Sequence, residues 1–399
     1  MRRFALLFVM AALLLGAPQQ ARAQSGSVTL TEVGVESEFG VQVTFRARAQ
    51  SPIPIIGGAL YFRDDFDEIT RVQPVQVAQD GLVSYRYDVT QNVLRPFTTL
   101  TYWFEFSLQD GQTARSAEYQ ARYLDDRFPW QEASNGLLTV HWYEGDPAFG
   151  QALLDAASRG MNQAATLVSS ANLAPVDVYV YAAGTDLQGA LYLGGETWTG
   201  GHANPKLNVV MAVVAPGPTQ GIEMETLLPH ELAHVLLYRS VGQGYARLPV
   251  WLGEGVASLA ELYPNPDYAL ALETASREGT LLPMADLCAS FPLDAASAFL
   301  AYAQSQSFVR YLRDTYGSAA LFALTAAYAD GLGCNEGAVR TLGVPLAQLE
   351  TRWRETALGE NVAGVFLRNM LPYLALLGLL LFLPLIGVLQ RRPKNEASS

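Results

Sequence analysis

The stretch LPHELAHVLLYRSVGQGYARLPVWLGEGVASLAE, residues 228–261, contains two of the four histidines of this 399-residue chain. His230 and His234 are four positions apart, with Glu231 between them. On an α-helix, residues i and i+4 share a face, so both imidazoles point in the same direction. The spacing therefore predicts a helix that offers two nitrogen ligands to one metal ion.

The residues around this motif predict where the helix begins and what it does. Thr226 is a good helix-capping residue, and Pro229 would then lie in the first turn, where a missing N–H costs nothing. Glu231, next to the first histidine, is placed to take a proton from a metal-bound water. H-E-x-x-H also occurs by chance in helices, so the motif alone leaves a buried, metal-free helix open.

A second helical run, VWLGEGVASLAE, follows, and Glu254 lies 20 positions after His234. HELAH and WLGEG together resemble the gluzincin metallopeptidases, in which a carboxylate zinc ligand comes from such a helix, and the WLGEG form is closer to the one-zinc aminopeptidases. The resemblance implies one Zn²⁺ per chain, held by His230, His234 and Glu254, with Glu231 as general base. Gly253 and Gly255 are expected to permit close approach of backbones. The alternative for Glu254 is an exposed helical carboxylate.

A tyrosine is the candidate oxyanion donor, because no histidine follows His234 in the sequence. The segment AYAQSQSFVRYLRDTYG, residues 301–317, resembles the aminopeptidase segment that supplies this tyrosine, and Tyr302 takes its place. The lysine and glycine of that pattern are replaced by Gln304 and Ser305. Tyr311 and Tyr316 are interpreted as packing residues of the same helix.

Upstream of the motif, three other residues are candidates for the site. Zincins bind substrate along a sheet edge, and aminopeptidases place there a glutamate that holds the free amine. Glu196 lies at a suitable distance, but the G-A-M-E-N pattern is missing, so it is interpreted as an exposed hairpin residue. His202 is interpreted as a loop residue. His141 is expected on a strand without a partner.

Both termini contain apolar runs, which predict export and membrane attachment. MRRFALLFVMAALLLGAPQQARAQS predicts a signal peptide, residues 1–23, cleaved after Ala23, and the alternative is an N-terminal membrane anchor. Residues 370–389 contain no charge, and they predict a transmembrane helix over 368–389. Arg391, Arg392 and Lys394 place the tail, residues 390–399, in the cytoplasm. The expected localisation is the cell membrane, single-pass, with the folded domains extracytoplasmic.

The composition limits the possible partners of the chain and indicates the redox state of its cysteines. The net charge of −12 argues against nucleic acid as a partner. The chain has two cysteines, Cys288 and Cys334, and such a pair in an exported chain favours one disulfide over two free thiols.

The pattern of elements predicts a multidomain chain. Seven alternating runs within residues 24–126 predict an all-β sandwich, and the segment LRPFTTLTYWFEFSLQDG resembles a fibronectin type III or immunoglobulin-like hairpin. The boundary between this sandwich and the next domain is predicted in the segment DDRFPWQEASNG. Residues 130–360 predict an α+β domain with a helical C-terminal half, in which ALYLGG and KLNVVMAVVA form a hairpin. Over roughly 135–355 the chain is similar to small bacterial proteins with a peptidase MA-like domain.

The resemblance implies a membrane-anchored zinc metallopeptidase that acts on a peptide or protein substrate, with endo- or aminopeptidase action undecided. The bilayer is the expected second partner, through the C-terminal helix. Two alternatives remain: a zinc-binding but catalytically inactive adhesion or scaffold protein, and a metal-free structural protein.

Overall fold

The structure of the chain is a computed structural model that describes residues 28–67, 69–169, 174–191, 200–360, 364 and 370–380. These residues fall into two compact units. The first comprises 28–94 with 98–124, and the second comprises 95–97 with the residues from 125 onward. The predicted signal peptide and Glu196 lie outside the described residues.

The first unit is all β. A three-stranded sheet has the order β1-β2-β5, and a second sheet has the order β4-β3-β6-β7, with β8 also pairing with β6. All of these pairings are antiparallel. The strands are β1 (Thr29–Glu38), β2 (Gln42–Gln50), β3 (Ile55–Asp64), β4 (Arg71–Val75), β5 (Leu82–Asp88), β6 (Thr99–Leu108), β7 (Thr113–Arg115) and β8 (Tyr119–Arg122).

Aromatic side chains from the facing sides of the two sheets form the core of this unit. The Phe45 ring on β2 lies 5.0 Å from the Phe62 ring on β3 and 5.2 Å from the Tyr102 ring on β6. Alternate residues of β6, including Tyr102 and Phe104, are buried, as expected for strands with one face toward a core. The predicted sandwich of alternating strands is thus observed, with β7 as an additional short strand. The fibronectin type III or immunoglobulin-like resemblance stays a prediction.

The second unit contains a mixed five-stranded sheet with the order β12-β13-β11-β10-β9. The three central strands run parallel, whereas β9 and β12 pair antiparallel at the two edges. The strands are β9 (Gln131–Ser134), β10 (Leu138–Trp142), β11 (Val176–Tyr181), β12 (Gly201–Asn204) and β13 (Val209–Val213).

Helices form the rest of the second unit. The first of them begins at a capping aspartate, since the Asp146 side chain accepts a hydrogen bond from the Phe149 N–H and proline occupies the first turn. The helices are α1 (Pro147–Ala165), α2 (Gly184–Leu191), α3 (Gln220–Val241), α4 (Val250–Ala260), α5 (Asp267–Glu278), α6 (Ala295–Tyr316), α7 (Ser318–Ala329), α8 (Cys334–Leu342) and α9 (Leu346–Ala357).

Three local predictions were wrong. Ala190 and Leu191, assigned to a strand, end α2, and the hairpin that follows consists of β12 and β13. The segment taken as a boundary contains β9, because its backbone pairs with β10. The helix that contains His230 and His234 begins at Gln220 instead of after Thr226, because residues 220–225 are also helical and continue into it without a break.

The two cysteines form the predicted disulfide, Cys288–Cys334, with 6.3 Å between their Cα atoms. Residues 370–380 of the predicted membrane segment are helical, and 381–389 lie outside the described residues. Within the described part of the chain, no helix is both long enough and apolar enough to cross a membrane.

Candidate metal centre

Pro229 lies inside α3, and its missing N–H has a structural consequence. The Glu225 carbonyl, one turn earlier, has no helical donor and accepts instead from the backbone N–H groups of Leu262 (2.8 Å) and Tyr263 (3.3 Å). The Thr226 hydroxyl donates to the Tyr263 carbonyl at 3.1 Å. The proline thus allows the segment that follows α4 to be held against α3. Thr226, predicted as the helix cap, has this clamping contact instead.

Three potential ligand residues converge at this point. His230 and His234 lie one turn apart on α3, and α4 brings Glu254 toward them. Glu254 Oε2 lies 3.4 Å from His230 Nε2 and 3.6 Å from His234 Nε2, and one ligand atom of each residue lies within 4.8 Å of the others. The structure therefore brings together the three residues that the sequence nominated as ligands.

The other ring nitrogens are held by two residues that the sequence analysis missed. His230 Nδ1 lies 3.0 Å from Glu261 Oε1, and His234 Nδ1 lies 3.0 Å from the Tyr245 hydroxyl. When both Nδ1 atoms are protonated and donate to these oxygens, both Nε2 lone pairs face Glu254. Glu261 lies seven positions after Glu254, a two-turn spacing that could have suggested a shared face. Tyr245, in the connection between the helices, has no comparable sequence signal.

This donor set fits zinc. Two imidazole nitrogens and one carboxylate oxygen leave a fourth position open, as in catalytic zinc sites. Donors about 2.0–2.1 Å from a tetrahedral ion lie roughly 3.3 Å apart, and the Glu254 contacts of 3.4 and 3.6 Å are close to that separation. The cluster His230, His234 and Glu254 is the group of potential ligands found among the described residues.

The charges around the ligands favour a cation. Burial, the largest effect, lowers the pKa of His230, but hydrogen bonds to Glu254 and Glu261 outweigh it and raise that pKa well above its ordinary value. Burial likewise opposes ionisation of Glu254, yet the His234 and His230 imidazoles lower its pKa below the ordinary range. A proton and a metal ion therefore compete for the same site, because both are stabilised by the same carboxylates.

Glu231 faces the edge strand β12. It is buried, with 7% of its surface exposed. Its carboxylate accepts from the Ala203 N–H, and burial raises its pKa although His230 and His234 oppose the shift. A Cβ atom at Gly201 would lie 2.5 Å from Glu231 Oε1, so glycine is needed there for the strand to approach the carboxylate.

These residues line one cavity of about 750 Å³, which also includes Tyr302 on α6. The Tyr302 ring lies 6.3 Å from the His230 ring and packs edge-to-face on Phe291 at 5.0 Å. Gln304 and Ser305, which depart from the family pattern, have packing roles: the Gln304 amide donates to the Leu282 carbonyl (2.8 Å) and accepts from its N–H (2.9 Å).

The remaining histidines differ from their predicted settings. His202 lies on β12 rather than in a loop, and it lines the cavity. Burial, Arg95 and His234 lower its pKa. His141, predicted to lack a partner, has Nε2 3.0 Å from Asp177 Oδ1 and stacks on Tyr179. These partners come from β11, whose parallel register with β10 the sequence did not specify.

The sequence matches the model of the Peptidase MA superfamily over residues 156–359, slightly more than half of the chain. The chain therefore belongs to the Peptidase MA superfamily. The matched range includes the HELAH and WLGEG segments and the helix that contains Tyr302.

No curated protein matches this chain. Among solved structures, an M1 zinc metallopeptidase from Deinococcus radiodurans is 13% identical over 78% of this chain and 88% of that chain, with a TM-score of 0.33. A mutant of a two-domain M1 zinc metallopeptidase bound to L-arginine is 12% identical over 78% of this chain and 88% of that chain, with a TM-score of 0.38. At such low scores, the activities and ligands in these names describe those proteins alone.

Proposed function

We propose that this protein is a zinc-dependent peptidase. The observation that supports the proposal most strongly is the convergence of His230, His234 and Glu254 within 4.8 Å, with Glu231 in the same cavity. A structural zinc site is normally closed by four protein ligands and needs no general base. A three-ligand cluster that opens into a cavity beside a buried carboxylate instead favours catalysis.

Zinc held by these ligands would supply a Lewis acid that polarises a peptide carbonyl and lowers the pKa of water. In the proposed reaction, Glu231 takes a proton from the attacking water and later delivers it to the leaving amine. Its raised pKa suits both roles, because a carboxyl whose pKa lies closer to neutrality accepts and releases a proton more readily. Tyr302 donates its hydroxyl proton in a hydrogen bond to the developing oxyanion.

The proposed substrate pose is an extended peptide along β12. In the described sheet, β12 is an edge strand that pairs with β13 alone. The Val213 N–H donates to the Gly200 carbonyl, so the alternation of an antiparallel ladder turns the backbone groups of Gly201 and Ala203 outward. The Ala203 N–H already donates to Glu231, which leaves the Gly201 groups and the Ala203 carbonyl on this side. These groups support the proposal that a substrate strand binds there through its backbone.

We further propose that the protein is exported and anchored in the membrane by its C-terminal segment. The support comes from the uncharged run 370–389, followed by Arg391 and Arg392, and from the exposed apolar side chains of 370–380, among them Leu371 and Leu380. Carbonate extraction of membranes containing the full chain would test this: protein that leaves with the soluble fraction would contradict anchoring.

Metal analysis and cleavage assays of the full chain test the peptidase proposal. Wild type and Glu231→Gln should each contain one zinc per chain, because Glu231 is not a proposed ligand. Glu231→Gln should cleave a mixed peptide library with kcat/KM reduced at least ~100-fold, because the general base is lost. Glu278→Gln, an exposed carboxylate at the end of α5, is the matched control and should retain full activity.

The same measurements separate the two alternatives. Stoichiometric zinc without cleavage by the wild type would favour an inactive zinc-binding scaffold. Absence of zinc from the wild type, together with a metal content unaffected by His234→Ala, would refute the metal centre.

A further inference from the structure

The wall of the cavity opposite the sheet edge differs in chemistry from the metal centre. Three residues of α6, Ala295, Phe299 and Tyr302, line the cavity at spacings of four and three, so they share one helix face. Tyr268 from α5 lies against this face, with its ring 5.0 Å from the Phe299 ring. Leu227, one turn before His230 on α3, contributes a further apolar side chain.

We propose that Leu227, Tyr268, Ala295 and Phe299 form a subsite that binds an apolar side chain, aromatic or branched aliphatic, of the peptide substrate next to the bond that is cleaved. The inference rests on the proposed peptidase function and specifies its substrate class. The subsite belongs to the same cavity as the ligands, so an extended peptide with its carbonyl at the metal centre brings a neighbouring side chain to this wall.

The charged residues of the cavity limit which substrate side chains can bind there. Among the described lining residues there is no lysine or arginine, whereas Glu231, Glu254 and Glu261 supply three carboxyl groups. An acidic substrate side chain would therefore find no lysine or arginine among these lining residues. A lysine or arginine side chain would lose hydration against Phe299, Ala295 and Leu227, which offer no hydrogen-bond acceptor from their side chains.

The exposure of the wall residues to the cavity is consistent with an apolar substrate side chain. Phe299 and Tyr268 are partly exposed toward the cavity instead of being fully buried in the core. A substrate ring or isobutyl group would cover this apolar surface, and that burial is favourable in proportion to its area. Ala295, one turn before Phe299 on α6, presents only a methyl group to the cavity.

A set of internally quenched peptides, each made with a free and with a blocked N-terminus so that endo- and aminopeptidase action are both detected, tests the subsite. The peptides are identical except for one residue beside the scissile bond, which is Phe, Leu, Ala, Lys or Asp. With the zinc-loaded full chain, we expect kcat/KM for the Phe and Leu peptides to exceed that for the Lys and Asp peptides at least ~10-fold.

Substitutions locate the preference in the protein. Phe299→Ala should reduce the ratio of kcat/KM for the Phe peptide to kcat/KM for the Ala peptide. Phe299→Glu should raise kcat/KM for the Lys peptide relative to that for the Phe peptide, because the new carboxylate pairs with the ammonium group. Ala296→Glu introduces the same charge three positions before Phe299, at an exposed site of α6 outside the cavity lining, and should leave the wild-type order unchanged. Thermal unfolding of each variant reports whether α6 remains folded.

Binding separates failure of the subsite from failure of the peptidase proposal. Fluorescence anisotropy of the same peptide sequences, labelled at one end, on Glu231→Gln measures selection without cleavage. Preferential binding of Phe and Leu peptides, even if the wild type cleaved nothing, would uphold the subsite and overturn the peptidase proposal. Equal cleavage and equal binding of all five peptides would overturn the subsite while leaving the peptidase proposal intact.

Discussion

The orientation of the two histidines depends on residues that are not ligands. Glu261 Oε1 and the Tyr245 hydroxyl hold the two Nδ1 atoms, each at 3.0 Å, and so present both Nε2 atoms to Glu254. The two supports differ in charge. Glu261 is a buried carboxylate, whereas burial, with Glu254 and Glu231, raises the pKa of Tyr245 and keeps its phenol neutral. A carboxylate partner makes the imidazole a stronger donor to a metal than a phenol does.

Loss of the Glu261 contact should weaken metal binding. We expect Glu261→Ala to lower zinc affinity by about 10–100-fold, because the His230 ring is no longer fixed. Glu261→Gln should recover part of this loss, since its amide oxygen can still accept from Nδ1. Competition with a chromophoric chelator measures the affinity. Equal affinities for the wild type and Glu261→Ala would show that Glu261 has no positioning role.

The Tyr302 hydroxyl should affect the chemical step more than substrate binding. We expect Tyr302→Phe to reduce kcat by about 100–1,000-fold with KM little changed, because an oxyanion donor acts in the transition state. Tyr311→Phe, on the same helix but outside the cavity lining, serves as the control. Steady-state kinetics on one peptide would contradict the role if both variants retained the wild-type kcat.

At the scale of elements, the site depends on close packing between α4 and α6. A Cβ on Gly255 would lie 2.5 Å from the Ser305 carbonyl oxygen and from Val309 Cγ2, so only glycine permits this separation of the helices. Gly253, two positions earlier, meets no atom within 4 Å. The close approach predicted for both glycines is confirmed for Gly255 and wrong for Gly253, where a Cβ would point into open space.

This pair gives a matched test. Gly255→Ala should lower the free energy of unfolding by about 1–3 kcal/mol, because the helices must separate. Gly253→Ala should raise it by up to about 1 kcal/mol, since alanine favours helix and meets nothing. Chemical denaturation of both full-length variants measures the difference. Similar shifts in the two would argue against the close packing of α4 on α6.

At the scale of the whole molecule, the disulfide connects two segments that are 46 residues apart in sequence. Cys288 lies between α5 and α6, and Cys334 begins α8, where Cys334 Sγ also accepts from Trp251 Nε1 on α4 at 3.3 Å. The bond thus joins the segment between α5 and α6 to the start of α8.

Removal of the disulfide should destabilise the fold without altering the chemistry. We expect the double variant Cys288→Ser, Cys334→Ser to lose about 2–4 kcal/mol of unfolding free energy, because its unfolded chain is less restricted. Zinc content should be unchanged, as neither cysteine lines the cavity or belongs to the ligand cluster. Denaturation curves with and without reductant measure this, and the double variant should not respond to the reductant. Unchanged stability of the wild type after complete reduction would refute the prediction.

The sequence by itself determined what depends on spacing within one element. Four positions between His230 and His234 place both rings on one helix face wherever that helix packs, and the alternation of β6 determines which side of its sheet is buried. The Asp146-Pro147 start of α1 is equally local. The family resemblance added Glu254, because its helix follows at a characteristic distance.

Only the tertiary structure decided which groups from separate elements meet. The start of α3 at Gln220 allows Pro229 to free the Glu225 carbonyl, and that carbonyl then holds the segment beyond Glu261. The places of Tyr245 and His202 likewise depend on how a connection and an edge strand pack on α3. The physical reason is that such contacts arise from packing between segments distant in sequence, and local propensity contains no information about that packing.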